Sequence, residues 1–272
     1  MNQQSPAVLH GVPETMLWTL HNRASESLRP DGMIRDPEAE RIYRSIAYDY
    51  ERSFGKPDAS HAVRSLQFDE VVRNWMQQHP GGTVVELGCG LETQFQRVDD
   101  GQVQWLCVDV PEAIAVRERF LKPSARCRHL ECSALDFRWM DAVDPARGVF
   151  VTAQGLLMYF RENEVRQLLQ TMAQRLPGSE AMFDTIPLWF SRMTTSEKGL
   201  WRTPHYRAPA MPWGIATTAI PAQLRTWLPT LEWVRIVPYR RFLGFPAMLM
   251  PWLGRLPGLR DKVPSMAHLR IA

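Results

Sequence analysis

The chain has 272 residues, 45% of them hydrophobic, with 32 basic and 29 acidic side chains for a formal net charge of +3. That is ample for a full core, in one large domain or one domain with a cap. Nothing apolar is long enough to span a membrane, the first residues lack a secretory pattern, and no basic run offers a nucleic-acid track.

The elements follow in chain order. Met16, Leu17, Leu20 and Ala24 recur at three- and four-residue steps and predict a helix over 13–28. A turn at Arg29-Pro30-Asp31-Gly32 follows. Ala39, Ile42, Tyr43, Ile46, Tyr50 and Phe54 predict a second helix over 37–54, and a third runs over 60–78, ended by His79-Pro80-Gly81-Gly82. Strands are then expected at 83–87, 104–108, 127–131, 148–153 and 180–185, with helices at 92–97, 111–121 and 161–176. Residues 188–214 show no clear period; 221–228 read as a helix, and 231–239 and 267–271 as two late strands. The pattern predicts an α/β fold, a doubly wound, mostly parallel, seven-stranded sheet, with residues 1–80 as a helical cap and 81–272 as the core. An insertion over about 187–222 is expected to cover the substrate. Phe242 to Leu256, broken by Pro246 and Pro251, reads as a packed core segment that alternatively touches a membrane or a lipid-like acceptor. Of Cys89, Cys107, Cys127 and Cys132, three lie on or next to expected buried strands and read as reduced core thiols, pointing to a cytoplasmic location, and Cys127 and Cys132 show no zinc spacing.

The chemistry gathers at Thr83-Val84-Val85-Glu86-Leu87-Gly88-Cys89-Gly90. A strand here runs into a Gly-x-Gly turn, whose glycines permit positive φ and close approach of a ligand. The next strand ends in Asp109, placed to grip two ribose hydroxyls. A dinucleotide loop wants a third glycine, but Thr93 stands there. Glu86 and Glu92 would repel a pyrophosphate and suit a positively charged ligand. The local chemistry therefore favours S-adenosylmethionine (SAM), with its ammonium, sulfonium and lack of phosphate, over NAD.

Several further motifs carry a resemblance: Gly11-Val12-Pro13-Glu14-Thr15, Arg23-Ala24-Ser25-Glu26-Ser27, Asp36-Pro37-Glu38-Ala39, Val108-Asp109-Val110-Pro111-Glu112, Ser133-Ala134-Leu135-Asp136 and Gly155-Leu156-Leu157-Met158-Tyr159-Phe160. With the glycine loop, the chain resembles the leucine carboxyl methyltransferase-like family of class I SAM methyltransferases. Within that family it is similar to the tetracenomycin polyketide O-methyltransferase branch. The resemblance implies SAM as cofactor, with Arg64 on its carboxylate, Gly88 and Gly90 beneath its methionine part, and Asp109 on the ribose. Ala134 and Leu135 would hold adenine, and Asp136 would either take the adenine amino group or cap the next helix. Tyr159 would lie near the methyl, or serve as a core aromatic. The family often has Glu where Gln154 stands, and Asp-Thr-Arg where this chain has Glu92-Thr93-Gln94. Gln154 would still accept a hydrogen bond from the ammonium, whereas the lost Arg removes an ion pair.

These features imply an O-methyltransferase acting on a hydroxyl or carboxyl oxygen of a small acceptor, a secondary metabolite bound among Trp189, Phe190, Met193, Trp201, Tyr206, Met211 and Trp213 and the N-terminal helices. A carboxylate needs no base; for a phenol, His205 is the candidate base, and Arg202 and Arg207 would orient an acidic acceptor. Alternatives are a carboxyl methyltransferase for a peptide or protein C-terminus, a non-catalytic SAM-binding regulator and, more distantly, an NAD oxidoreductase. Monomer and homodimer both remain open, and no nucleic-acid partner or metal is expected.

Overall fold

The computed structural model describes residues 11–240 and 258–272. Four helices come first: α1 (Thr15–Leu28), α2 (Pro37–Ser45), α3 (Tyr50–Phe54) and α4 (Ser60–Gln78). Strands and helices then alternate as β1 (Thr83–Leu87), α5 (Gln94–Val98), β2 (Gln104–Asp109), α6 (Pro111–Phe120), β3 (Cys127–Glu131), β4 (Val149–Ala153), α7 (Glu162–Arg175) and β5 (Glu180–Thr185). The chain continues through α8 (Leu188–Thr195), a hairpin of β6 (Leu200–Thr203) and β7 (Tyr206–Ala208), α9 (Ile220–Trp227), β8 (Leu231–Pro238) and β9 (Ser265–Ile271).

The seven-stranded sheet has the order β3-β2-β1-β4-β5-β9-β8. Neighbours from β3 to β5 run parallel, while β9 is antiparallel to both β5 and β8. β1, β4 and β5 are buried along their whole length, as strands covered on both faces must be. Leu87 is level with Val108 on one side and Ala153 on the other. The loops leaving β1, β2 and β4 therefore open side by side at the carboxyl edge, where the strand order switches direction and ligands of such sheets bind.

α4 packs on the sheet, sharing a core of Val63, Phe68, Val72 and Trp75 with Val84, Trp105 and Phe150. α1, α2 and α3 form a separate core in which Leu20, Ile42 and Phe54 meet Leu91 of the glycine loop and Tyr206 of the hairpin. A segment before β1 and one between β5 and β8 thus pack together with the glycine loop.

Two expectations change. The helix expected over 37–54 is two, because the chain leaves the helix at Ile46 and Asp49 caps a new one by accepting the Arg52 amide at 3.1 Å. The aperiodic 188–214 region contains α8 and the β6–β7 hairpin. The 242–256 segment lies outside the described residues. Among those described, no helix is long and apolar enough to cross a membrane.

Candidate active site

A cavity of about 270 Å³ opens at the tips of β1, β2 and β4, bordered by Glu86, Gly88, Gly90, Asp109, Ala134 and Gln154 from the sheet side. Met16, Thr19 and Arg64 border it from the helical side. Gly88 and Gly90 have φ of +66° and +42°, in the left-handed region. A Cβ at Gly88 would stand 2.8 Å from Leu156 Cδ1, and one at Gly90 3.0 Å from Met16 Cβ. The loop is therefore a tight cradle that only glycine permits.

Asp109 ends β2, and its carboxylate accepts the Gly90 and Val110 amides, both at 2.8 Å. It ties the glycine loop to its own strand and keeps lone pairs for hydroxyl donors. Burial raises its pKa, and the two amides pull the other way. Glu112, on the first turn of α6, also borders the cavity.

The two glutamates do not supply the free negative charge expected of them. Glu86 borders the cavity, but its Oε2 accepts from Trp105 Nε1 at 3.1 Å and its Oε1 has no partner among the described residues. Burial pushes its pKa well above the carboxylate range, which favours the neutral acid. Glu92 is also buried, which alone would raise its pKa, but Arg23 at 2.9 Å and Arg97 at 2.7 Å hold it well below its ordinary value. Its charge is spent on the protein's own guanidinium groups.

Gln154 carries the ammonium-facing expectation in another form. Its Nε2 donates to Gln94 Oε1 at 3.2 Å, which leaves its buried Oε1 as an acceptor without a partner at the cavity wall. Arg64 Nη1 pairs with Asp184 at 3.1 Å, while its buried Nε has no acceptor. Gly155, with φ of +67°, lets that guanidinium lie against the backbone: a Cβ there would meet Nη1 at 2.6 Å. Gln154 from the sheet side and Arg64 from the helical side thus both border the cavity, and each keeps a buried polar atom without a partner among the described residues.

Beyond β3, Ala134 and Ser133 border the cavity, but Leu135 packs against the core beneath the sheet. Asp136 is turned away as well, accepting the Arg138 amide at 3.3 Å and pairing with its guanidinium at 3.0 Å. Of its two expected roles, capping is the one the structure contains. His205 lies exposed in the β6–β7 turn and borders neither this cavity nor the next. The hairpin turn, invisible in an aperiodic stretch, carries it outward.

Tyr159 sits in the short 3-10 turn Leu157–Tyr159 after β4. Burial pushes its phenol up to about 12, against the pull of a hydrogen bond with Thr15 and the charge of Arg64. It borders the first cavity and also a second, of about 200 Å³. The two cavities share a wall of Thr15, Thr19, Arg64, Gly155 and Tyr159. The second is lined by Trp18, Met158, Trp189, Phe190, Met211 and Arg202, together with His61 and Asp58. Of the aromatic and methionine side chains expected around an acceptor, Trp189, Phe190 and Met211 are here, while Met193, Trp201, Tyr206 and Trp213 are not. Sequence reasoning missed His61; its signal was its place three residues before Arg64, on one face of α4.

All four cysteines are free and buried. Cys107 Sγ and Cys127 Sγ lie 3.9 Å apart, and with His129 their ligand atoms fall within 4.8 Å of one another. The buried Arg117 donates to His129 Nε2 at 3.4 Å, so this nitrogen already faces a cation.

A seven-stranded sheet with its penultimate edge strand reversed, and a glycine-cradled cavity beside an aromatic one at its carboxyl edge, define a class I methyltransferase. The chain belongs to the leucine carboxyl methyltransferase family, whose model matches residues 16–173. It is 31% identical over 227 residues to the tetracenomycin polyketide synthesis O-methyltransferase TcmP of Streptomyces glaucescens, covering 82% of each chain. It is 25% identical over 190 residues, 63% of each chain, to the S-adenosyl-L-methionine-dependent methyltransferase dpfgK of Gibberella zeae. Among solved structures, its fold is similar to that of the plantazolicin methyltransferase BpumL in complex with SAH, the demethylated cofactor S-adenosylhomocysteine, with TM-score 0.51 and 12% identity over 96% of this chain and 100% of that one. The protein is a SAM-dependent methyltransferase, and SAM is its cofactor.

Proposed function

We propose that the protein methylates an oxygen of a small, flat, largely apolar acceptor held in the second cavity. The shared wall of the two cavities carries this reading, because cofactor and acceptor would meet across Gly155 and Tyr159 without crossing solvent. Asp109 would take the ribose hydroxyls, Arg64 the carboxylate and Gln154 the ammonium. Gly88 and Gly90 would pass beneath the methionine part and Ala134 would lie against adenine. When bound, the cofactor supplies a methyl group on a positively charged sulfur, open to in-line displacement.

The protein's task is then chiefly alignment, which contributes about 7–11 kcal/mol in favourable cases. Tyr159, protonated at neutral pH, would orient the acceptor through its hydroxyl rather than take a proton from it. Trp18, Phe190 and Met211 would flank a ring system and exclude water. The helices before residue 80 and the segment around α8 and the hairpin would act together as the acceptor's cover. The named activity of TcmP in polyketide synthesis supports a polyketide-type metabolite as acceptor.

Incubation with methyl-labelled SAM and a panel of aromatic carboxylic acids and phenols tests this. Label in the organic extract is the expected result. Absence of transfer to every small acceptor, with base-labile label on a protein band instead, would replace it with methylation of a peptide or protein carboxylate.

A further inference from the structure

His61 borders the second cavity but not the first. Its Nδ1 lies 2.9 Å from Asn22 Nδ2. The Asn22 amide is oriented independently of His61: Nδ2 donates to Asp58 Oδ1 at 3.1 Å, and Oδ1 accepts the Asp58 amide at 3.4 Å. The second hydrogen of Nδ2 therefore points at His61 Nδ1, which must accept it. A neutral ring whose Nδ1 accepts carries its proton on Nε2. That Nε2 has no hydrogen-bond partner among the described residues and is not sealed from the cavity.

We infer that His61 serves the acceptor as a fixed hydrogen-bond donor, not as a base, and that the second cavity takes an oxygen acceptor that arrives already ionised, an aromatic carboxylate or an acidic phenol. This rests on the proposed placement of the acceptor in that cavity. Charge agrees with it. Arg202 lies 4.6 Å over the Trp18 ring on the same wall, and its nearest carboxylate oxygen, Asp58 Oδ2, is 3.9 Å away. Asp58 Oδ1 is saturated by Asn22 and by the amide and hydroxyl of Ser60. The charged groups around the ring are Arg64 on α4, Arg202 on β6, Arg23 on α1 and Asp58 ahead of α4. Burial, then Arg64, hold the imidazole down to about 3 against the opposing pull of Asp58, which favours the neutral ring. Protonation of Nδ1 would also set two donors face to face. An oxyanion bound at Nε2–H loses no proton to the protein, and the negative charge it carries is the nucleophile's own.

Two measurements on the full chain loaded with SAH test the inference. Nitrogen-15 spectra of labelled histidine, with His61→Gln identifying the resonance, should show the Nε2–H tautomer at pH 5 to 8. An Nδ1–H tautomer, or a charged ring at pH 7, would overturn the donor role. Calorimetry should show 2-naphthoate binding about tenfold or more tighter than 2-naphthamide, in line with a charge-assisted bond. His61→Leu should erase that preference and His61→Gln, which keeps an N–H, should retain most of it. No naphthoate binding, or a preference untouched in His61→Leu, would sink the subsite. 4-Nitrophenol separates the two sources: binding that tightens as its own phenol ionises marks a phenolate acceptor, while naphthoate binding alone marks a carboxylate. Failure of SAH itself to bind would instead count against the cofactor assignments of the first cavity, leaving the tautomer result standing.

Discussion

Gln94 and Gln154 look, one at a time, like losses against the family pattern of Arg and Glu. In space they are partners, a neutral pair joined at 3.2 Å. Gln154→Glu alone should place a carboxylate beside an amide that cannot neutralise it and lower stability by about 1–3 kcal/mol. Adding Gln94→Arg should recover most of that in a thermal-unfolding double-mutant cycle; additive losses would show that the two side chains are not coupled. Asp109→Ala should weaken SAH binding about 10- to 100-fold by calorimetry, since it deletes a charge-assisted acceptor and frees the Gly90 and Val110 amides together. Wild-type affinity in that variant would refute the ribose assignment. The place of Asp109 was legible because it depends only on where a strand ends. The fate of Glu86 was not, because its pKa is raised first by burial and then by Cys107 of the neighbouring strand.

α1 meets the glycine loop through a buried charge network. Arg23, less than 2% exposed, donates to Asp36 and Glu92 at 2.9 Å and to the Leu91 carbonyl at 2.7 Å. Arg97 of α5 adds bonds to Asp36, Glu92 and Asp69. Arg23→Met should cost about 3–5 kcal/mol in urea unfolding, because it leaves Asp36 and Glu92 buried with one guanidinium between them. Unchanged stability would mean that the network contributes nothing net. Glu92 also sets a pH dependence. Its folded pKa lies below the ordinary 4.5, so its contribution is complete above that pH and is lost as the pH falls below it. Neutral Glu92→Gln should flatten this acid limb. At the level of elements, strong periodicity located α4 and the five parallel strands. The break between α2 and α3 was missed because Ile46 and Tyr50 keep helical spacing while being buried for a different reason, packing in the α1–α3 core.

For the whole molecule, the cofactor should act as a staple between the sheet edge and the helices that cover it. SAH at about 100 times its dissociation constant should add about 2.7 kcal/mol, raising Tm by about 5–10 °C in a domain of this size. NAD should leave Tm unmoved; a shift with NAD of the same size would contradict the cofactor selectivity. The alternation of strands and helices, the Gly-x-Gly turn and the acid closing β2 are properties of short stretches, and the amino-acid order alone determined them. Which polar groups are free to act is another matter. Arg23 reaches Glu92 across 69 positions, Asn22 reaches His61 across 39, and Arg64 reaches Asp184 across 120. Only folding decided that the charge of Glu92 is paired, that His205 faces solvent and that Nδ1 of His61 faces the Asn22 amide, because charge, tautomer and exposure depend on neighbours brought together from distant parts of the chain.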